Sequence, residues 1–451
     1  MRLFESILLL ILIALIYQLV FAKQKEKQPL RLLFFAIVLT VAHLMYEGYR
    51  WQMIPLYFSF GFLYLRIKTG ALKFTQRFNK LTWGLWIIII IGLPIAVPVF
   101  ELPQPTGPYP IGTKIYHWVD SSRAEWFTPE NDNDVRELVV QVWYPAESVT
   151  GEPLPYLDNL DLRLEALGGA GDFPGFLASH INLIKTYSYL NAVSIQKKRF
   201  PLLILSHGIT GFRQIHTALI EELTSHGYVV AAPDHTYDCN LTVFPDGHTA
   251  DYRSDITGHP DSVNIRRQQL NTRVADIHFI LDQMLAADEY KNVIDFDKVG
   301  VLGHSYGGAT AIQTAYEDSR FKAVLTLDSW MNPIPDLIIE QGISQPFLYL
   351  GRPHWNDSDY PTSPSRLVLF LKNVKNDRIH YTLQGARHMD FSDAPLYSPI
   401  TKYLLETGNI FSGTAVSLTN IVVTTFFDKY LKNKSNQFPD NLNNYQELLR
   451  Y

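Results

Sequence analysis

Cysteine is almost missing from these 451 residues: the one present, Cys239, excludes any intrachain disulfide and any metal site built from cysteines alone. A basic surface is missing from most of the chain as well. The formal charge of −5 hides an asymmetry, because residues 1–100 hold 11 Lys and Arg against 3 Asp and Glu, net +8, which leaves −13 for the rest. That acidic remainder offers no footprint for nucleic acid, and the two parts face different surroundings. No A-x-A-like cleavage site follows the first apolar run, so a removable signal peptide is set aside. No cluster of ionisable residues marks the apolar runs as a transport path. Global disorder is excluded too, since 47% hydrophobic and 13% aromatic residues can bury a sizeable core.

What the chain does have, first, is long hydrophobic runs. "LFESILLLILIALIYQLVFA" (residues 3–22) approaches the length of a bilayer crossing, and Leu32–Tyr46, Trp51–Leu65 and Leu81–Phe100 follow it. Four transmembrane helices are expected over residues 1–100, the middle two being short for a span. Lys23, Lys25, Lys27 and Arg31 in one loop, and Arg66, Lys68, Lys73, Arg77 and Lys80 in another, place both loops in the cytoplasm. The nearly neutral link around Glu47 and Arg50 then lies outside. With an even number of spans, the N-terminus and everything after Phe100 are extracytoplasmic, in a multi-pass protein of the cell membrane. "ELPQPTGPYP" (101–110) reads as a stiff linker to a catalytic domain over 111–451, and the bundle reads as an anchor.

From Val135 onward, strand-like runs alternate with helix-like ones, which predicts an α/β domain with a mainly parallel sheet flanked by helices. The strands are expected at 137–145, 201–208, 228–235, 298–305, 323–330, 346–353 and 378–388, with polar residues at their C-terminal ends, where open parallel sheets place their sites. One of these ends carries "GHSYG" (303–307), a serine between glycines where a strand gives way to a helix. Such an elbow exposes its apex side chain, and Ser305 is the candidate nucleophile. A serine needs a base, and the base needs an acid to orient it. His388 in "LQGARHMDFSD" is the candidate base, because it follows the final strand and completes the order Ser, acid, His. His304 should point into the fold, His380 lies within a strand, and His354 is the rival. For the acid, Asp328 ends the strand after the nucleophile helix, whereas Asp357 and Asp359 follow the next strand; spacing leaves these open. The oxyanion of acyl transfer needs two N–H donors. Tyr306, after the nucleophile, is one, and the His207-Gly208 turn in "SHGITGFR" (206–213) supplies the other at Ile209.

These residues resemble the platelet-activating factor acetylhydrolase family of the α/β-hydrolase fold. "GPYPIGTKIYHWVDSSR", "RELVVQVWYPA", "FPLLILSHGITGFR", "GHSYGG", "LDSWMNP" and "GARHMDFSD" follow its motifs in order across roughly residues 107–430. The resemblance implies Ser305 as nucleophile, Asp328 as acid, His388 as base, Ile209 and Tyr306 as oxyanion donors, and no metal or cofactor. It implies cleavage of short or oxidised acyl groups from phospholipids at lipid surfaces. The segment "FPGFLASHINLIKTYSYLN" (173–191) sits where the family's interfacial helix lies, or is a plain cap over the pocket. The N-terminal bundle departs from the secreted members. The expected activity is that of a membrane-anchored serine esterase. A broad esterase or polyester hydrolase, and a non-catalytic scaffold on a hydrolase fold, are the alternatives; the complete triad speaks against the last.

Overall fold

The computed structural model describes residues 1–21, 27–69, 76–353, 362–434 and 438–451. Lys23, Lys25, Lys73, His354, Asp357 and Asp359 lie outside the described residues, as do the side chains of Lys27, Arg77 and Lys80.

The apolar runs of the first hundred residues form helices α1 (Leu3–Ile16), prolonged by a π turn at Tyr17–Phe21, α2 (Lys27–Tyr46), α3 (Ile54–Thr69) and α4 (Gln76–Ala96). They share a buried core that includes Leu8, Leu12, Leu15, Leu33, Leu56, Leu63 and Ile90. Among the described residues one stretch, Pro29–Tyr46, is long and apolar enough to cross a membrane; Leu3–Leu19 and Leu81–Ala96 are shorter apolar helices. The last run was expected to reach Phe100, but α4 ends at Ala96. Pro98 has no N–H to offer the Pro94 carbonyl, and Arg50 donates to that oxygen (3.4 Å) and to Val97 O (3.1 Å) instead.

The same Arg50 corrects one expectation. Ionisable residues scattered in sequence do converge: buried Glu5 accepts two bonds from Arg50 (2.7 and 2.6 Å) and is also paired with Arg2, while His43 Nδ1 lies 3.0 Å from Glu47. Only the antiparallel packing of α1 with α2, and the turn before α3, brings these groups to one end of the helices.

The rest of the chain is built on one ten-stranded sheet among the described residues. Its strands are β1 (Ile111–Ala124), β2 (Val135–Pro145), β3 (Ser188–Leu190), β4 (Phe200–Ser206), β5 (Val229–Asp234), β8 (Ile294–His304), β9 (Phe321–Leu327), β10 (Phe347–Gly351), β11 (Arg378–Leu383) and β12 (Leu448–Arg450). A separate hairpin pairs β6 (Leu241–Val243) with β7 (Thr249–Asp251). The spatial order is β12-β11-β10-β9-β8-β4-β5-β2-β1-β3. Strands β5, β4, β8, β9, β10 and β11 run parallel; β2 pairs antiparallel with β5 and with β1, as β12 does with β11. All seven strands read from the sequence are present. The edge strands β3 and β12, and β1 next to β3, lack an unbroken apolar run and went unread.

The parallel strands are apolar on both faces because helices cover both. On one side α7 (Ser262–Ala286), α8 (Tyr306–Glu317), α9 (Asp336–Gln341) and α10 (Ser363–Asn373) close a core around Leu202, Ile204, Val299, Val301 and Val324. On the other, α6 (Thr217–Ser225) and α12 (Ser412–Lys432) cover Leu203, Leu205, Leu302, Leu325 and Leu348. Short α11 (Ala394–Tyr397) follows the last parallel strand.

Residues 101–110 are packed against this domain. Thr106 N and Oγ1 bond to Glu222 of α6, Gly107 N donates to Ser225 Oγ (3.0 Å), and Tyr109 N donates to Ser225 O (3.1 Å). Phe100 and Leu102 are buried with Tyr156, Ile184, Phe212 and Ile215. The 173–191 segment is not an α-helix: after α5 (Leu160–Gly171) it forms 3-10 turns at Gly175–Leu183 and then β3. Trp51, from the turn before α3, lays its ring against Phe176 (6.3 Å between centroids) and donates Nε1–H to Leu177 O at 3.0 Å.

Candidate active site

Strand order assembles the site. β4 and β9 flank β8, so the residues leaving the C-terminal ends of these three strands emerge side by side, where the direction of chain crossing reverses. Ser305 leaves β8 with φ +57° and ψ −118°, a left-handed conformation that an L-residue adopts only when its surroundings hold it there. The surroundings are backbone: Ser305 N donates to Leu327 O (2.9 Å) and Ser305 O accepts from Trp330 N (3.0 Å) and Gly308 N (3.0 Å). The flanking glycines make the turn possible. A Cβ at Gly303 would run into the Gly307 carbonyl, and one at Gly307 would run into the Ser206 carbonyl.

Asp328 leaves β9 in a second left-handed conformation (φ +43°), and its carboxylate is fully buried. Its Oδ2 lies 2.6 Å from His388 Nδ1, and its Oδ1 accepts from Arg352 N (2.9 Å) and Tyr349 OH (3.3 Å). Arg352 Nε, 3.2 Å from Oδ2, compensates the buried charge. The carboxylate is an acceptor, so the His388 proton sits on Nδ1 and Nε2 keeps its lone pair. His388 opens a 3-10 turn five residues beyond β11, after a bend at Gly385 (φ +76°). The strand expected over 378–388 therefore stops at Leu383, and this early stop carries the histidine back over the sheet.

His304 points inward beneath it, as the sequence suggested. Its ring lies against the His388 ring (4.7 Å between centroids) and its Nε2–H donates to His388 O at 3.0 Å. Burial, with the nearby His388 and His216 rings, pushes His304 well below the ordinary histidine pKa, so it stays neutral next to His388. His380 is inside β11, stacked on Tyr451.

Ile209 and Tyr306 lie next to this apex on two elements. Tyr306 opens α8, where N–H groups have no acceptor within the helix. Ile209 follows Gly208 in the loop after β4, and that loop presses on the elbow: a Cβ at Gly208 would stand 3.2 Å from Ser305 Cβ. The next residue, Thr210, is also left-handed (φ +55°). A serine at a strained apex and an imidazole oriented by a buried carboxylate thus stand at the same end of the sheet.

Sequence reasoning missed Arg352 and Tyr349, the partners of Asp328. Neither sits in a motif; the end of β10 meets Asp328 only through the register of the sheet. Among the described residues the ligand atoms of Glu5, His43 and Glu47 are close enough to grip an ion, but they lie in the N-terminal helices and Glu5 is already engaged by two arginines.

Comparison with known proteins agrees with this architecture. Residues 95–449 match the family model described as platelet-activating factor acetylhydrolase, isoform II. The platelet-activating factor acetylhydrolase of Bos taurus is 31% identical over 379 residues, 77% of this chain and 81% of that protein. The Cavia porcellus enzyme of the same name is 30% identical over 359 residues, 73% of this chain and 78% of its own length. Among solved structures, a ferulic acid esterase from Streptomyces cinnamoneus superposes with a TM-score of 0.66 at 26% identity, covering 78% of this chain and 99% of that one.

Proposed function

This chain belongs to the platelet-activating factor acetylhydrolase, isoform II, family and is a hydrolase of carboxylic esters, and from that premise we propose that it works through a Ser305 acyl-enzyme. The observation that carries the reading is the pairing of buried Asp328 with half-buried His388, 2.6 Å apart, one strand along from the strained Ser305 elbow. His388 Nε2 takes the Ser305 proton as Oγ attacks the ester carbonyl, and Asp328 stabilises the imidazolium. The N–H groups of Ile209 and Tyr306 receive the oxyanion. The proton passes to the departing alcohol, and water, deprotonated by the same His388, then releases the acid.

The substrates in this reading are phospholipids or related lipids carrying a short acyl group, by likeness to the acetylhydrolases of Bos taurus and Cavia porcellus. The N-terminal helices are read as membrane-embedded, with the catalytic domain extracytoplasmic. Large apolar side chains on their outer faces support this, among them Phe34 (69% exposed), Phe58 (65%) and Ile88 (66%). Exposed Phe176 lies against Trp51 of the turn before α3, beside these helices.

Purified protein should hydrolyse p-nitrophenyl acetate and short-acyl phospholipid, lose kcat/KM as the acyl chain lengthens, and be labelled by an organophosphonate at Ser305. Ser305→Ala should abolish both, and Asp328→Asn should lower kcat by about 10³- to 10⁴-fold. Labelling at another serine would overturn the assignment. Equal turnover of esters of every chain length would favour the broad esterase, a reading to which the likeness to a ferulic acid esterase lends weight. Protease added to intact cells should degrade the catalytic domain; protection until the membrane is broken would overturn the topology.

A further inference from the structure

Arg273 lies on α7, away from every motif, and is 1% exposed. Its guanidinium spreads along the backbone of the oxyanion loop: Nη1 donates to His207 O (2.6 Å) and Nη2 to Gly208 O (3.3 Å) and Asp238 O (3.4 Å). Nε is paired with the Asp238 carboxylate. The same guanidinium carbon sits 4.6 Å from the centre of the Tyr306 ring. One buried cation therefore touches the Gly208 carbonyl, in the peptide that carries the Ile209 N–H, and the ring of Tyr306, the two residues whose N–H groups are read as oxyanion donors.

We propose that Arg273 is the positioning residue of the oxyanion hole, holding the Gly208–Ile209 peptide plane and the Tyr306 side chain in the orientation that aims both N–H groups at the reacting carbonyl. The inference rests on the reading of Ser305 as nucleophile. In a trans peptide the C=O of Gly208 and the N–H of Ile209 point in opposite directions. Donors that draw the carbonyl toward α7 thus turn the Ile209 N–H away from α7. Three donors converge on that oxygen: Arg273 Nη2, Gly211 N (3.1 Å) and His207 Nδ1 (2.6 Å). The His207 proton sits on Nδ1 because Nε2 accepts from His235 N at 3.2 Å. Burial, followed by the Arg273 charge, keeps His207 neutral. Of the three donors only Arg273 is charged. A cation on the carbonyl also polarises the peptide and strengthens its N–H as a donor.

At the second donor, the Tyr306 ring is held from several sides. Arg273 covers it, its hydroxyl donates to Arg266 O (2.8 Å), and the Arg266 guanidinium lies 5.4 Å from both the Tyr306 and Trp330 rings. The anchor is rigid because α7 is fixed elsewhere. One turn on, Asp276 accepts from His235 Nδ1 (2.9 Å) and from Arg136 (3.0 and 2.6 Å).

The test uses the full chain with Arg273→Gln and Arg273→Lys, reading kcat and KM on p-nitrophenyl acetate, the rate of phosphonylation of Ser305, and Tm. Both variants should lose about ten- to a hundredfold in kcat and in phosphonylation rate together, with KM within about twofold, since a mis-aimed donor costs somewhat less than a deleted one. The tetrahedral phosphonate needs the same donors as the reaction, whereas substrate binding does not. Arg273→Gln leaves Asp238 without its cation and is the variant at greater risk of not folding. Arg273→Lys keeps the charge and removes only the planar fork, so it carries the test alone in that event. Wild-type phosphonylation in either variant, or losses that follow KM and Tm instead of kcat, would overturn the proposal; so would failure of both to fold, which makes the residue structural. Ser305→Ala separates this from the underlying reading: labelling that survives it sinks the nucleophile, whereas labelling lost there but unchanged in the Arg273 variants sinks only the clamp.

Discussion

Glu221 sits on α6 with its side chain fully buried, receiving hydrogen bonds from Ser188 Oγ and from Tyr187 N (2.7 Å). Burial pushes its pKa from 4.5 up to about 8. Folding thus favours the protonated form: the stabilisation is complete below about 4.5 and is lost as pH rises toward about 8. Glu221→Gln should shrink the fall in unfolding free energy across that window by up to about 1.4 kcal/mol per pH unit, read from urea melts at pH 5 to 8. Asp393, also buried and raised, will retain part of the slope in that variant. At this scale the sequence was legible where a motif carried the residue, as at Ser305. It left Asp328 level with Asp357 and Asp359, because which strand end meets His388 is a matter of sheet register and loop path. Arg273 and Arg352 were invisible for the same reason: their partners are 33 or more and 24 residues away.

The element on which the site depends most is the β8–α8 elbow. Gly307→Ala would drive a methyl group into the Ser206 carbonyl of β4, a backbone atom that cannot swing aside. We expect it to cost about 1–3 kcal/mol or more of stability and to abolish labelling of Ser305 in whatever folded protein remains. Gly151→Ala is the control: that glycine is left-handed (φ +85°) but has nothing within 4 Å of its would-be Cβ. It should cost about 1 kcal/mol and leave labelling intact. Strand positions were readable because the parallel strands are continuous apolar runs. The early end of β11 was not, since the Gly385 bend that swings His388 over the sheet has its reason in tertiary contacts such as Gly385 O with Asn409 N (2.9 Å).

Across the whole molecule, the segment from Phe100 to Tyr109 is a strap seated on the catalytic domain. Phe100 packs between Tyr156 (5.3 Å between centroids) and Tyr397 (5.2 Å), and the cluster it joins reaches Phe212 and Ile215 in the loop after β4 and Met389 beside His388. A chain lacking residues 1–106 should therefore be less stable by several kcal/mol than one lacking only residues 1–94, through loss of the Phe100 and Leu102 side chains. The difference is read as Tm of the two truncated proteins in detergent. Equal Tm values would show that the strap contributes nothing to the domain.

The sequence by itself determined the class of the molecule: a mainly parallel sheet, an elbow serine, a histidine after the last parallel strand, and an apolar, basic N-terminal region. Those properties are local, set by runs of apolar side chains, glycines at a turn and charge counts. Tertiary structure alone decided what meets what. It set Asp328 against His388, drew Glu5 to Arg50 across 45 residues, laid the proline-rich strap on α6, and brought Arg273 to the Gly208 carbonyl and the Tyr306 ring. Buried polar groups must find partners wherever the packed chain provides them, and sequence spacing carries no record of that choice.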